Sequence, residues 1–380
     1  MSTKRIANIV GPPVEGDDFF GREKLLRYVW EHYILKGVSI RLSAPRRTGK
    51  SSFARKMLAI AEAEGWKILH LDLQGEQNFI ECFIKEFESR TWGDKVAGVF
   101  RKLCDAIKID GKVSVSSDVW SDDVYERITE LIENAGELLI VIDEVTNFLE
   151  NLRNQENGIE KVERFLGRLR KLRLAPGTQS RWIFCSSIGI ENFTSIHRLS
   201  AHFNDTMPVE IGAFSEDEAK RFISCLHVDA EIQFTEGHIQ YILGKLVWYL
   251  PFFIQLLVNK INFLVYDEDR EFSNDIIDEA YNRLVIEDHF KTWDERLDKY
   301  RDFEVHARTI LKSCALPNGE TREHLFATLS ARQSDAEQTE IILAKVLGML
   351  QNDGYLVPHN GKYVFRSPLL RDFWYHRFIR

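Results

Sequence analysis

The chain has 380 residues, 44% of them hydrophobic and 28% charged, with a formal net charge of −8. That length exceeds a typical single domain and lets each of two or three domains bury a core, while the acidic balance excludes wholesale coating of nucleic acid. The five cysteines, Cys82, Cys104, Cys185, Cys225 and Cys314, lack the paired spacing of a zinc site or disulfide framework and fit a reducing cytoplasm; the longest apolar run, Leu246 to Val258, is broken by Pro251 and Gln255 and falls short of the ~20 residues of a bilayer span.

The chain opens with a Pro/Gly-rich stretch, Gly11-Pro12-Pro13-Val14, suited to wrapping a base, followed by Phe19-Phe20-Gly21-Arg22-Glu23 leading into a helix through Tyr33. Val38 to Leu42 reads as a buried strand, and Ala44-Pro45-Arg46-Arg47-Thr48-Gly49-Lys50-Ser51 follows it directly. Gly-Lys-Ser between an apolar strand and a helix is a phosphate-binding pattern. Backbone N–H groups and the helix dipole face the β- and γ-phosphates, Lys50 supplies countercharge, and the Ser51 hydroxyl is a Mg²⁺ ligand. Ala44 stands where the pattern usually has its first Gly, the smallest departure available. The phosphate helix is predicted over Lys50 to Ala63, with Phe53, Met57, Leu58 and Ile60 on or near one face.

A second strand, Lys67 to Leu73, and a helix around Phe79 to Phe87 continue a β-α-β rhythm; residues 91 to 121 read as a partly helical insertion without an assigned role. A helix from Asp122 to Asn134 precedes Leu138-Leu139-Ile140-Val141-Ile142-Asp143-Glu144, an apolar run ending in two carboxylates, as expected of a buried parallel strand whose C-terminal end opens on a ligand crevice. There Asp143 holds Mg²⁺ and Glu144 orients or deprotonates the attacking water; the plainer reading is a core strand with an exposed acidic helix cap. A charged helix, Gly158 to Leu174, leads to a strand, Arg181 to Ser187, whose last two serines either sense a γ-phosphate or make a simple turn. Val209 to Ile211 is the last short strand, and Phe214-Ser215-Glu216-Asp217-Glu218 is a capping box that starts a new helix near a boundary at 213.

From there to residue 290 the pattern is helical, with Ile242, Leu246, Trp248, Leu256 and Leu257 as apolar core. Trp248, Tyr249, Phe252 and Phe253 read as core packing, as do His289 and Trp293. Helices over Val305 to Ala315, from Thr321, and over Gln338 to Gln351 precede a hairpin, Tyr355 to His359 against Lys362 to Phe365, joined by Asn360-Gly361. Three helices and a β-wing predict a winged helix. The expected fold is therefore α/β: a P-loop AAA+-like parallel-sheet domain over 1–212, an all-α helical lid over 213–290 and a winged-helix domain over 291–380.

Phe20-Gly21-Arg22-Glu23, Pro45 through Ser52, Ile140 through Glu144, Ser186-Ser187-Ile188-Gly189 and Phe365 through Trp374 together resemble the archaeal-type ATPases of the STAND class over nearly the whole chain. The resemblance implies a nucleotide-controlled switch that rests on ADP, exchanges it for ATP on a trigger, opens and often assembles, with slow Mg²⁺-dependent hydrolysis as reset. It implies Val14, Gly21, Arg22, Pro45, Arg46, Arg47, Thr48, Gly49, Lys50, Ser51, Ser52 and Pro251 around the nucleotide. Ser51 and Asp143 fall on Mg²⁺, and Glu144, Lys50 and Ser187 on catalysis and sensing. Tyr249-Leu250-Pro251 replaces the Gly-x-Pro often seen at the lid. Arg46, Arg47, Arg153, Arg168 and Arg170 are candidates for a transition-state finger; the plainer reading of Arg168 and Arg170 is a solvated helix face. The partners implied are a protein effector or sensor, in stress or anti-phage responses, and copies of the chain itself.

A DNA-binding ATPase of the initiator or transposition-regulator type is the runner-up. Over 305–380 ten Lys and Arg stand against seven Asp and Glu, a modest basic excess, and the third helix carries Lys345 as its one base. DNA is therefore not favoured as the winged-helix partner. A third reading has a nucleotide held for structure alone, with Glu144 inert.

Overall fold

The structure is a computed structural model that describes residues 5–76, 78–109, 112–113, 121–186, 189–228, 232–331 and 335–380. The chain divides into two compact units. One holds Arg22–Ser43 and Lys50–Ile211; the other holds Met1–Gly21, Ala44–Gly49 and Gly212–Arg380.

The first unit is built on strands β1 (Ser39–Ser43), β2 (Lys67–Asp72), β5 (Leu138–Asp143), β6 (Ser180–Phe184) and β7 (Thr206–Glu210), with β3 (Lys108–Ile109) and β4 (Lys112–Val113) forming a separate short hairpin. The sheet runs β2-β5-β6-β1-β7 with every pairing parallel. All six residues of β5 are buried, which is why its apolar run does not alternate: both faces of a parallel sheet are covered. Phe83, Phe165, Trp182 and Phe184 pack into the core that covers it. The helix Lys50–Ala63 buries Phe53, Ala54, Met57, Leu58 and Ala61. Register aligns Asp72 with Asp143 and Ile142 with Phe184, so three strands end together at one rim.

Element edges depart from the sequence pattern for local reasons. The first helix starts at Glu23, after Arg22 takes a left-handed φ of 66°, and its last turn, Trp30–Ile34, is π-wound where Trp30 packs edge-on against Trp66. Strand β6 stops at Phe184 rather than Ser187. Strand β7 begins at Thr206, three residues before the apolar signal, because β1 pairs with it residue for residue, Pro208 included. A proline is tolerated there because β7 is an edge.

In the second unit, Ser215 caps the helix Glu216–Cys225 with both capping-box bonds in place. Helices Glu236–Leu246, Pro251–Tyr266 and Asn274–Ile286 follow. Then come Glu304–Cys314, β8 (Glu320–Thr321), Arg322–Ser330, Ala336–Asn352, β9 (Leu356–His359), β10 (Lys362–Phe365) and a terminal helix, Pro368–Phe378. The sheet β8-β10-β9 is antiparallel, and Asn360 and Gly361 both take positive φ, 48° and 75°, as a type I′ turn demands. The elements run helix, strand, two helices and hairpin. The terminal helix is fastened through Asp372, which accepts a 2.7 Å hydrogen bond from the Tyr281 hydroxyl.

Trp248, Phe252, Phe253 and Trp293 are buried as expected. His289 is not: its side chain is 41% exposed and pairs with Glu287 at 2.9 Å, so the packing role assigned to it is corrected to a surface contact. Among the described residues no helix is long and apolar enough to cross a membrane.

Beneath Trp293 lies a buried polar knot. Asp353 accepts from Tyr300 at 2.7 Å and from Arg296 at 3.5 Å, and the Tyr355 hydroxyl donates to the Trp293 carbonyl at 2.6 Å. Gly354 sits between Asp353 and Tyr355 with φ +83°, and a Cβ placed there would lie 2.6 Å from Pro45 Cβ and 2.8 Å from the Trp248 ring. Gly354→Ala therefore combines backbone strain with overpacking and should lower unfolding free energy by about 2–4 kcal/mol. Denaturant titration checks this, and a loss no larger than for Gly348→Ala, which has open space, would contradict it.

Candidate nucleotide site

Strand β1 ends at Ser43 and the helix begins at Lys50. Between them the chain makes a tight turn. Arg47 and Gly49 take φ of 66° and 89°; Ala44 is not among the positive-φ residues, so the conformation that normally demands glycine at the head of this pattern is absent and alanine suffices. The Thr48 hydroxyl is buried and donates to the Pro45 carbonyl at 3.0 Å, tightening the turn from within. No acidic residue stands in the first turn of the helix, so its N-terminal partial charge is uncompensated and favourable to an anion. The donor chemistry fits a phosphate group.

The turn belongs to the same compact unit as Gly212–Arg380 and touches it there. Pro45 meets Gly354, and the Arg47 guanidinium donates to the Gly11 carbonyl at 3.0 Å and lies 4.5 Å over the Phe252 ring. Burial pushes the Arg47 guanidinium below its ordinary value. Both Arg47 contacts are to protein, the Gly11 carbonyl and the Phe252 ring. Pro251 is the first residue of the lid helix, beside Phe252. Gly21 has φ 73° and room limited by Phe214, 3.4 Å from a Cβ. Arg22 caps the first helix of the α/β unit, Val14 and Arg46 are half-buried, and Ser52 is buried at the edge of the core.

At the rim of the α/β unit, Lys50 and Asp143 are 7% and 6% exposed. The Asp143 Oδ1 accepts the Glu144 N–H at 2.9 Å, and its carboxylate also acts on the Cys185 thiol, which burial first and Asp143 second push well up. Ser51 is half-buried one residue beyond Lys50. A hydroxyl at a phosphate-helix start and a strand-end carboxylate are hard oxygen donors of the kind Mg²⁺ takes, with water and phosphate completing the shell. Glu144 takes a left-handed φ of 55°, and its Oε2 accepts from Asn147 Nδ2 at 2.5 Å and from Ser186 Oγ at 3.5 Å. Ser186 is buried and also accepts the Thr146 N–H at 3.3 Å. Ser187, the sensor expected from the sequence, lies outside the described residues. Asn147 was not singled out by the sequence; its signal is the three-residue spacing from Glu144 at a helix start.

Two finger candidates are engaged elsewhere. Arg168 pairs with Asp122 at 2.7 Å and lies over Tyr125, and Arg170 pairs with Asp205 at 3.4 Å. Both lie on the helix Gly158–Arg173 and stay partly exposed, Arg168 by 18% and Arg170 by 40%, while each makes an ion pair.

The chain matches no family model, and no curated protein matches it. Among solved structures it is similar to the Walker-type ATPase Paby2304 of Pyrococcus abyssi (TM-score 0.62, 16% identity, 97% of this chain and 99% of that one). It is also similar to the Aeropyrum pernix ORC2 protein in ADPNP-ADP complexes (TM-score 0.54, 12% identity, 97% and 95%). These likenesses, with the five-stranded parallel sheet, define the chain as a P-loop AAA+-like α/β fold followed by a helical C-terminal region.

His70, on β2, is pushed below its ordinary value of 6.5 by burial, against the upward pull of Asp143. A folded-state value below the unfolded one means the unfolded chain binds more protons, so stability falls as pH drops through 6.5 toward the folded value. His70→Gln should lose less stability than wild type between about pH 7.5 and about pH 5.5. Urea midpoints at both pH values check it; parallel losses would remove His70 as the cause.

Proposed function

We propose that this chain is an ATP-binding, slowly hydrolysing switch of the STAND type, cytoplasmic, that hands its nucleotide state to a separate protein effector. The observation that carries the reading is the fastening of the phosphate turn. Pro45 and Arg47 lie against Gly354, Phe252 and Gly11 within one compact unit, while Lys50 and Ser51 continue directly into the phosphate helix. A turn that cradles phosphates and is also a packing partner transmits a change in phosphate number to what it packs against. In this reading Lys50 meets the β- and γ-phosphates, Ser51 and Asp143 hold Mg²⁺, and Glu144 orients the attacking water. Bound Mg²⁺ supplies countercharge to the phosphates.

A protein partner is favoured over DNA by the outer face of the helix Ala336–Asn352. Glu337, Gln338, Glu340 and Ile341 are exposed there, Ile341 by 57%, and Glu340 pairs with Arg322 at 2.5 Å. These exposed residues offer no base to a phosphate backbone. DNA binding by an initiator-type ATPase is the runner-up. A stress or anti-phage role rests on the family resemblance.

Lys50→Ala should abolish ATP and ADP binding in calorimetric titration, and retained affinity would overturn the phosphate-loop assignment. Glu144→Gln should bind ATP and hold it, so that light-scattering mass with Mg²⁺-ATP matches wild type with a non-hydrolysable analogue and differs from wild type with Mg²⁺-ADP. Equal mass in all states would remove nucleotide-dependent assembly from the proposal.

A further inference from the structure

We infer that Asn147 is a positioning residue for hydrolysis, acting through Glu144; this rests on the ATPase reading above. Glu144 occupies an N-cap position, where a side chain normally serves its own helix, yet it makes no capping bond to Val145–Arg153. Its backbone is instead held in the left-handed region, φ 55° and ψ 30°, a conformation that costs a non-glycine residue on the order of 1 kcal/mol and that persists where surroundings enforce it. The enforcement is visible. Val145 N–H donates to the Cys185 carbonyl at 3.3 Å and Thr146 N–H to Ser186 Oγ at 3.3 Å, so the first turn of the helix is pinned to the chain leaving β6.

Asn147 is the third residue of that pinned turn. Its Nδ2 donates to Glu144 Oε2 at 2.5 Å, and Ser186 Oγ reaches the same oxygen at 3.5 Å. One carboxylate oxygen thus has two donors, carried by two elements that are themselves tied together. The Asn147 bond restrains the carboxylate before any substrate arrives. A carboxylate that must accept a hydrogen bond from one water in line with a phosphorus gains rate from such preorganisation, since a small misplacement costs orders of magnitude. An alanine at 147 leaves Glu144 its charge and removes its orientation.

The test is steady-state ATP turnover by the full chain with Mg²⁺, alongside calorimetric ATP affinity, for Asn147→Ala and Asn147→Asp, each also in a Glu144→Gln background. Asp keeps the shape of Asn and replaces the donor with a second acceptor, so packing is preserved where Ala disturbs it; melting curves select the variant read. The expected result is a kcat lowered by about tenfold or more, ATP affinity within about twofold of wild type, and no further loss when either substitution is added to Glu144→Gln. An unchanged or raised kcat in Asn147→Asp would overturn the assignment, as would a loss equally large in the Glu144→Gln background. Wild type that binds ATP without turnover would instead refute hydrolysis itself and this assignment with it, whereas turnover in wild type together with an inert Asn147 refutes the assignment alone.

Discussion

Two opposite charges are buried at the rim of the parallel sheet, and the fold around them follows from that constraint. Lys50 and Asp143 are almost fully enclosed, and an enclosed charge is tolerable only with partners. Asp143 ends a strand whose every residue is buried, so water cannot serve it from the strand faces. It takes the Glu144 N–H, and the chain reaches that bond by turning through the left-handed region at Glu144. The same turn starts the helix that carries Asn147. The cost of burying a carboxylate, the strained residue after it and the fixed orientation of the next carboxylate are thus one continuous chain of cause.

Most of the α/β unit was legible in the sequence because its signals are short-range. Lys50–Ala63 is read from helical periodicity and β5 from an uninterrupted apolar run; in the second unit the capping box at Ser215 and the Asn360-Gly361 turn are read from spacing alone. Strand ends were less legible, because β6 and β7 stop and start where neighbours pair, which no local pattern states. The terminal helix Pro368–Phe378 was visible only as a motif. Its anchor, Asp372 on Tyr281, spans 91 residues of chain.

The site divides along the same line. Gly49, Lys50, Ser51, Asp143 and Glu144 belong to contiguous motifs whose residue types announce their chemistry. Asn147 does not: it is an ordinary polar residue until the left-handed Glu144 brings its carboxylate back over the helix start, where Ser186, read from the sequence as a phosphate sensor or a turn, also reaches it. Arg47 was open to two readings because charge alone fits a phosphate, a carbonyl or an aromatic face equally well, and its contacts with Gly11 and Phe252 come from parts of the chain far away in sequence. Arg168 and Arg170 illustrate the converse, since their partners Asp122 and Asp205 lie 46 and 35 positions away.

The strength of the fastening matters to the proposed switch. A pyrrolidine ring against a glycine contributes on the order of 1 kcal/mol, and one guanidinium with a carbonyl and an aromatic face adds about 1–3 kcal/mol. Moving a two-state equilibrium from one side to the other takes about 5.5 kcal/mol of differential ligand binding. The contacts of Pro45 and Arg47 are therefore of the size that a single phosphate, with its charge and its metal, can overcome. A larger apolar interface at this turn would hold one state whatever nucleotide was bound, and a smaller one would leave the C-terminal unit indifferent to the phosphates. A glycine at 354 keeps the contact with Pro45 close while limiting its area.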